Sequence, residues 1–101
     1  MATGSFTVDA DDDPDASGLV LRTPAPNPTR GAAEVTFALP APQNAHVAVF
    51  DVLGREVVRL ADGPFAAGTH TLAVHGLSAG VYVVRLRADG GVRSQTLVVA
   101  R

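Results

Sequence analysis

The stretch VYVVRLRADGGVRSQTLVVA, residues 81–100, decides how this chain folds. Tyr82, Val84 and Leu86 alternate with Val81, Val83, Arg85 and Arg87, a period of two that places the sets on opposite faces of a strand. Asp89-Gly90-Gly91 is a hairpin signal, because glycine adopts the positive φ that a tight reversal requires. Val92–Ala100 then returns as the last strand. This reading puts Tyr82, Val84 and Leu86 on the core face. It leaves Arg85 and Arg87 outside, where charge discourages edge pairing.

Upstream, the same texture of short apolar runs and turn signals, about every eight to twelve residues, extends back to Leu19. Leu19–Arg22 runs into Pro24, Pro26 and Pro28 and belongs at an edge. Val35, Phe37 and Leu39 alternate with Thr36 and Ala38 until Pro40 and Pro42 intervene. His46–Val52 follows, with Val47 and Val49 on one face. Asp51-Val52-Leu53-Gly54 reads as a turn in which Asp51 bonds the backbone and Gly54 supplies positive φ. In Glu56–Leu60, Val57, Val58 and Leu60 can share a face only through a bulge. Asp62-Gly63-Pro64 reads as the next turn. Thr69–His75 groups Leu72 with Val74, and Gly76–Gly80 connects to the strand already described. No window shows helical spacing free of Gly, Pro and β-branched residues. The fold class is therefore all-β, an immunoglobulin-like antiparallel β-sandwich of about seven strands.

Composition agrees with one small domain. The chain has 101 residues, 47% apolar and 18% charged, enough for a single core. It has no cysteine, which excludes disulfides, thiolate zinc sites and cysteine nucleophiles. Runs such as Gly80–Val84 and Leu97–Ala100 are far too short to span a membrane. The net charge of −2 hides a split. Residues 1–18 hold Asp9, Asp11, Asp12, Asp13 and Asp15 and no basic side chain, while the remainder carries all eight arginines. We read 1–18 as an acidic, unstructured leader and 19–101 as the folded unit. The N-terminus has neither a basic n-region nor an apolar h-region, so no export signal is expected there.

Candidate chemistry is sparse. Gly76-Leu77-Ser78-Ala79-Gly80 spells the nucleophile elbow G-x-S-x-G, but that elbow needs a helix after it within a large α/β sheet. A strand follows here, so the pentapeptide reads as a turn. His46, His70 and His75 have no carboxylate at metal-triad spacing and read as solvated or rim histidines. Asp9, Asp11, Asp13 and Asp15 recur as calcium-loop ligands do, yet in neither register do the EF-hand Gly and Glu positions match. They are calcium candidates only in a looser site; otherwise no cofactor and no metal is expected. Pro28 forbids glycosylation at Asn27-Pro28-Thr29. Five aromatics, no Trp and no basic run argue against nucleic-acid and carbohydrate binding. No catalytic residue is identified, so the chain is not read as an enzyme.

A resemblance follows from blocks in a fixed order. Pro26-Asn27-Pro28 precedes Val35-Thr36-Phe37-Ala38-Leu39-Pro40, then Val47 to Val57 (VAVFDVLGREV), Ala67-Gly68-Thr69-His70, and Leu77 to Leu86 (LSAGVYVVRL). Together they resemble the type A C-terminal sorting domain of the type IX secretion system of Bacteroidetes and their relatives. The resemblance covers about residues 19–101. It implies a non-catalytic address label at the end of a secreted protein, recognised by the outer-membrane translocon. A sortase-like cysteine protease is implied as a second partner. Cargo would lie upstream, Met1-Ala2 would be an added start, and the route would run through the periplasm to the cell surface or medium. Asp51 and Gly54 match the family's D-x-x-G turn, Gly68 and Gly80 its turn glycines, and Tyr82 and Leu86 its core positions. Leu97 and Val99 match its final strand, and Arg101 stands where lysine is frequent. An edge strand at a terminus can be added to a partner sheet, which makes Leu97, Val98, Val99 and Arg101 the candidate recognition residues. The alternative is an immunoglobulin-like accessory module of a secreted glycosidase, structural or binding carbohydrate or calcium.

Overall fold

A computed structural model of the protein describes residues 18–89 and 91–100. The calcium candidates Asp9, Asp11, Asp13 and Asp15, the hairpin residue Gly90 and the terminal Arg101 lie outside the described residues.

Seven strands and no helix make up the described chain. They are β1 (Val20–Leu21), β2 (Ala32–Leu39), β3 (Gln43–Phe50), β4 (Glu56–Phe65), β5 (Gly68–His75), β6 (Gly80–Ala88) and β7 (Gly91–Val99). One sheet has the order β1-β2-β5 and the other β4-β3-β6-β7, with every pairing antiparallel. This interleaving of sequence neighbours between two sheets is the immunoglobulin-like sandwich that the alternation predicts.

The strands form because their apolar side chains recur with period two. Ala33, Val35, Phe37 and Leu39 of β2, Val47 and Val49 of β3, Val84 and Leu86 of β6, and Leu97 and Val99 of β7 are buried in one core cluster with Leu19 and Leu21. Each fully buried aliphatic or aromatic side chain there contributes roughly 1.5–3 kcal/mol. Phe37 is the largest of them. Its ring centroid lies 5.5 Å from that of Phe65, edge to face.

Three features differ from the sequence reading. Asp62-Gly63-Pro64 is not a turn: it extends β4, with Asn44 opposite Pro64 and Ala45 opposite Gly63. β4 is an edge strand, so a proline there loses no ladder bond, and the reversal shifts to the segment between Phe65 and Gly68. Arg85 and Arg87 do not guard an edge, because β6 is central, between β3 and β7. The third strand ends at Phe50 rather than Val52, since Asp51 already belongs to the turn. The bulge expected in β4 is present. Register passes from Val47–Ala61 to Ala48–Arg59 and from Val49–Val58 to Phe50–Glu56, leaving Leu60 and Val57 as the extra residues. Val58 and Leu60 pack on the core while Val57 is exposed.

Candidate functional site

The proline-rich segment between β1 and β2 builds the most distinctive local structure. Pro26 and Pro28 carry no N–H and cannot form a ladder. Both follow cis peptide bonds. Backbone pairing therefore falls to their neighbours. Ala25 exchanges two hydrogen bonds with Glu34 of β2, at 3.1 and 2.8 Å. Thr29, almost fully buried, donates its N–H to the Val98 carbonyl at 2.9 Å and accepts from the Ala100 N–H at 2.7 Å. Between them Asn27 uses its side chain in place of a peptide group. Its Nδ2 donates to the Thr96 carbonyl at 2.8 Å, and its Oδ1 accepts from the Val98 N–H at 2.9 Å. The segment is thus a strap from β2 in one sheet to β7 in the other.

The strap changes the meaning of the terminal strand. Leu97 and Val99 point into the core and are buried. Val98 faces outward, and both of its backbone polar groups are taken, one by Asn27 and one by Thr29. The edge that the sequence alone leaves open to a partner is occupied by the chain itself from Thr96 to Ala100. Gln95 adds a second tie, its Nε2 donating to the Leu21 carbonyl at 3.0 Å and its Oε1 accepting from Thr23 at 3.5 Å. Sequence reasoning missed the roles of Asn27, Thr29 and Gln95. An asparagine flanked by prolines was the available signal, since it is the one side chain there that can mimic a peptide.

The motif residues occupy three other places. Asp51 and Gly54 form the turn between β3 and β4. Asp51 Oδ1 accepts from the N–H groups of Leu53 and Arg55 at 2.9 and 3.0 Å, and Gly54, with φ of 85°, donates to the Asp51 carbonyl. The Arg55 guanidinium closes on Asp51 Oδ2 at 3.0 Å. The Arg55 backbone N–H chiefly, then its guanidinium and the Leu53 N–H, hold the Asp51 carboxyl below the usual carboxylate range, against opposing desolvation. Tyr82 and Gly80 lie at the start of β6, where the Tyr82 hydroxyl donates back to the Ser78 carbonyl at 2.8 Å. Tyr82 is partly buried against the core, and Leu86 is within it. Gly68, with φ of 115°, opens β5 after the reversal.

His46 and His70 are half-buried. His70 packs tilted against Phe37 and edge to face against Phe65, with ring centroids 5.3 and 5.1 Å away, and pairs with the Ala66 carbonyl. His46 lies 3.4 Å from Glu56 through Nε2 and 3.7 Å from Asp62 through Nδ1. The two carboxylates meet opposite ring nitrogens, a geometry that cannot converge on one metal. Among the described residues no group of three or more His, Cys, Asp or Glu is placed to hold a metal ion. Arg85 stacks over Phe50, its guanidinium carbon 4.2 Å from the ring centroid. Among the described residues no helix is long and apolar enough to cross a membrane.

The strand order, and a tyrosine at the start of β6 bonded back to the preceding connection, define an immunoglobulin-like module with a tyrosine corner. The family model of the secretion system C-terminal sorting domain matches residues 25–100, from the strap to the end of the terminal strand, and the chain belongs to that family. No curated protein and no solved structure matches it. The resemblance to type IX sorting domains is thereby borne out.

Proposed function

We propose that residues 19–101 are a non-catalytic address that directs an upstream cargo through the type IX outer-membrane translocon. The cargo would pass through the periplasm and finish at the cell surface or in the medium. One observation carries this reading: the family match takes in the strap and the strands from β2 to β7 without interruption. The translocon would read the terminal strand around Leu97, Val98, Val99 and Arg101, and a sortase-like cysteine protease would then act on the cargo. Strand addition at that edge has to displace Asn27 and Thr29, so recognition of this kind is coupled to release of the strap.

The test fuses residues 19–101 to a periplasmic fluorescent reporter in a bacterium with a type IX apparatus. Export only when the translocon is present supports the reading. Export that is unaffected by deleting Leu97–Arg101 overturns the role given to the terminal strand. A reporter retained in the periplasm of a host whose own sorting domains export it overturns the address itself.

A further inference from the structure

A β-sandwich with two open sheets has four edges, and three of them here carry devices that block pairing. β1 is only two residues long, and Ala25 covers β2 beyond it. β4 has two bulges, Pro64, and the charged cluster Glu56, Arg59 and Asp62. The C-terminal half of β7 is held by Asn27 and Thr29. β5 has none of these. It is eight residues long, pairs with β2 in unbroken register, and contains no Asp, Glu, Lys, Arg or Pro.

Parity identifies the groups that its free edge presents. Glu34 bonds Ala25, and the Thr36 carbonyl accepts from Arg22, so even positions of β2 face β1 and odd positions face β5. The partners of those odd positions are Gly68, His70, Leu72 and Val74. The N–H and C=O groups of Thr69, Thr71, Ala73 and His75 therefore point away from the sheet. No partner among the described residues meets them. The side chains of these four residues are exposed, and two are threonines, well suited to a strand. The chain enters the described fold at Gly18, against Pro40 and beside β1, on the opposite edge of this sheet.

We infer that β5 is the edge through which a second copy of this chain pairs, antiparallel, about a two-fold axis at Leu72. That register sets Thr71 against Ala73 of the second copy and Thr69 against His75, so all four outward residues find partners. No formally charged side chain faces another, because β5 carries none of the four charged types and neither histidine meets its own copy. Leu72, half-buried at the rim of the core, meets Leu72 across the axis and loses its remaining exposure. The two three-stranded sheets become one six-stranded sheet, with isologous contacts of the kind that close a dimer. The inference is independent of the sorting role, since it uses only the edges of the fold.

Sedimentation equilibrium of the whole chain, from about 10 µM to about 1 mM, tests it, with amide hydrogen exchange as the site-specific readout. A monomer–dimer equilibrium is expected, with exchange at Thr69, Thr71, Ala73 and His75 slowing as concentration rises. Ala73→Pro removes an N–H that no intramolecular bond uses, and symmetry removes it twice, so dimerisation weakens at least about tenfold. Thr71→Lys, which places a positive charge on the edge, gives the same loss if the proline variant does not fold. A monomer at every concentration overturns the inference. So does a dimer that both variants leave intact, or protection of these amides that arises only when another protein is added.

Discussion

Asn27 and Val98 are 71 positions apart, and the side chain of one completes the backbone of the other. The carboxamide of Asn27 takes the Val98 N–H on its oxygen at 2.9 Å while its nitrogen reaches the neighbouring Thr96 carbonyl at 2.8 Å. Pro26 and Pro28 on either side have no backbone N–H to offer β7. The side chain supplies donor and acceptor, and with Thr29 it closes the outer edge of β7 near the end of the chain.

Asn27→Ala removes both bonds and is expected to destabilise the fold by about 1–2 kcal/mol, read from urea denaturation. Amide exchange at Val98 should accelerate with it. Asn27→Asp keeps the acceptor and loses the donor, so it should also destabilise the fold while leaving Val98 protected. Fast Val98 exchange in the aspartate variant would contradict this account.

Tyr82→Phe keeps the ring against the core and removes only the bond to the Ser78 carbonyl. The expected loss is about 0.5–1.5 kcal/mol. Ser78→Ala should be close to neutral, because the acceptor is the backbone. Equal losses in the two variants would show that the corner works through the serine side chain.

The depressed Asp51 carboxyl links turn stability to acid. Its carboxylate is favoured by the fold, so that contribution is complete above the ordinary aspartate range and disappears as pH falls below about 4. Asp51→Asn should flatten the acid limb of a stability-versus-pH curve, since an amide oxygen still accepts from Leu53 and Arg55 but no longer titrates. An unchanged acid limb would assign the dependence to other carboxylates.

Phe37 is fully buried, with Phe65 and His70 as ring neighbours. Phe37→Ala should cost about 3–5 kcal/mol, a large share of the stability of a domain this size, and leave the chain largely unfolded at 37 °C. Far-UV circular dichroism on heating checks it. Retention of a cooperative transition near the wild-type temperature would mean that the core collapses around the gap.

Much of this protein is legible in its sequence. Period-two alternation in residues 81–100, and in Val35, Phe37 and Leu39, determines which side chains enter the core, because a pleated strand admits only two faces. Asp51 and Gly54 announce their turn for the same local reason: one side chain bonds the backbone and one residue takes a positive φ. The ordered motif blocks indicate the family. Tertiary structure alone decides which strands stand at edges and what covers them. Asp62-Gly63-Pro64 has the composition of a turn, yet pairing with residues 44–46 extends it as strand. Arg85 and Arg87 have the composition of edge guards, yet β6 has a neighbour on either side. The terminal strand resembles a free edge in the sequence, and only the fold brings Asn27 and Thr29 onto it. Local stereochemistry depends on neighbours along the chain, whereas the state of an edge depends on which distant backbone groups reach it, and no periodicity records that.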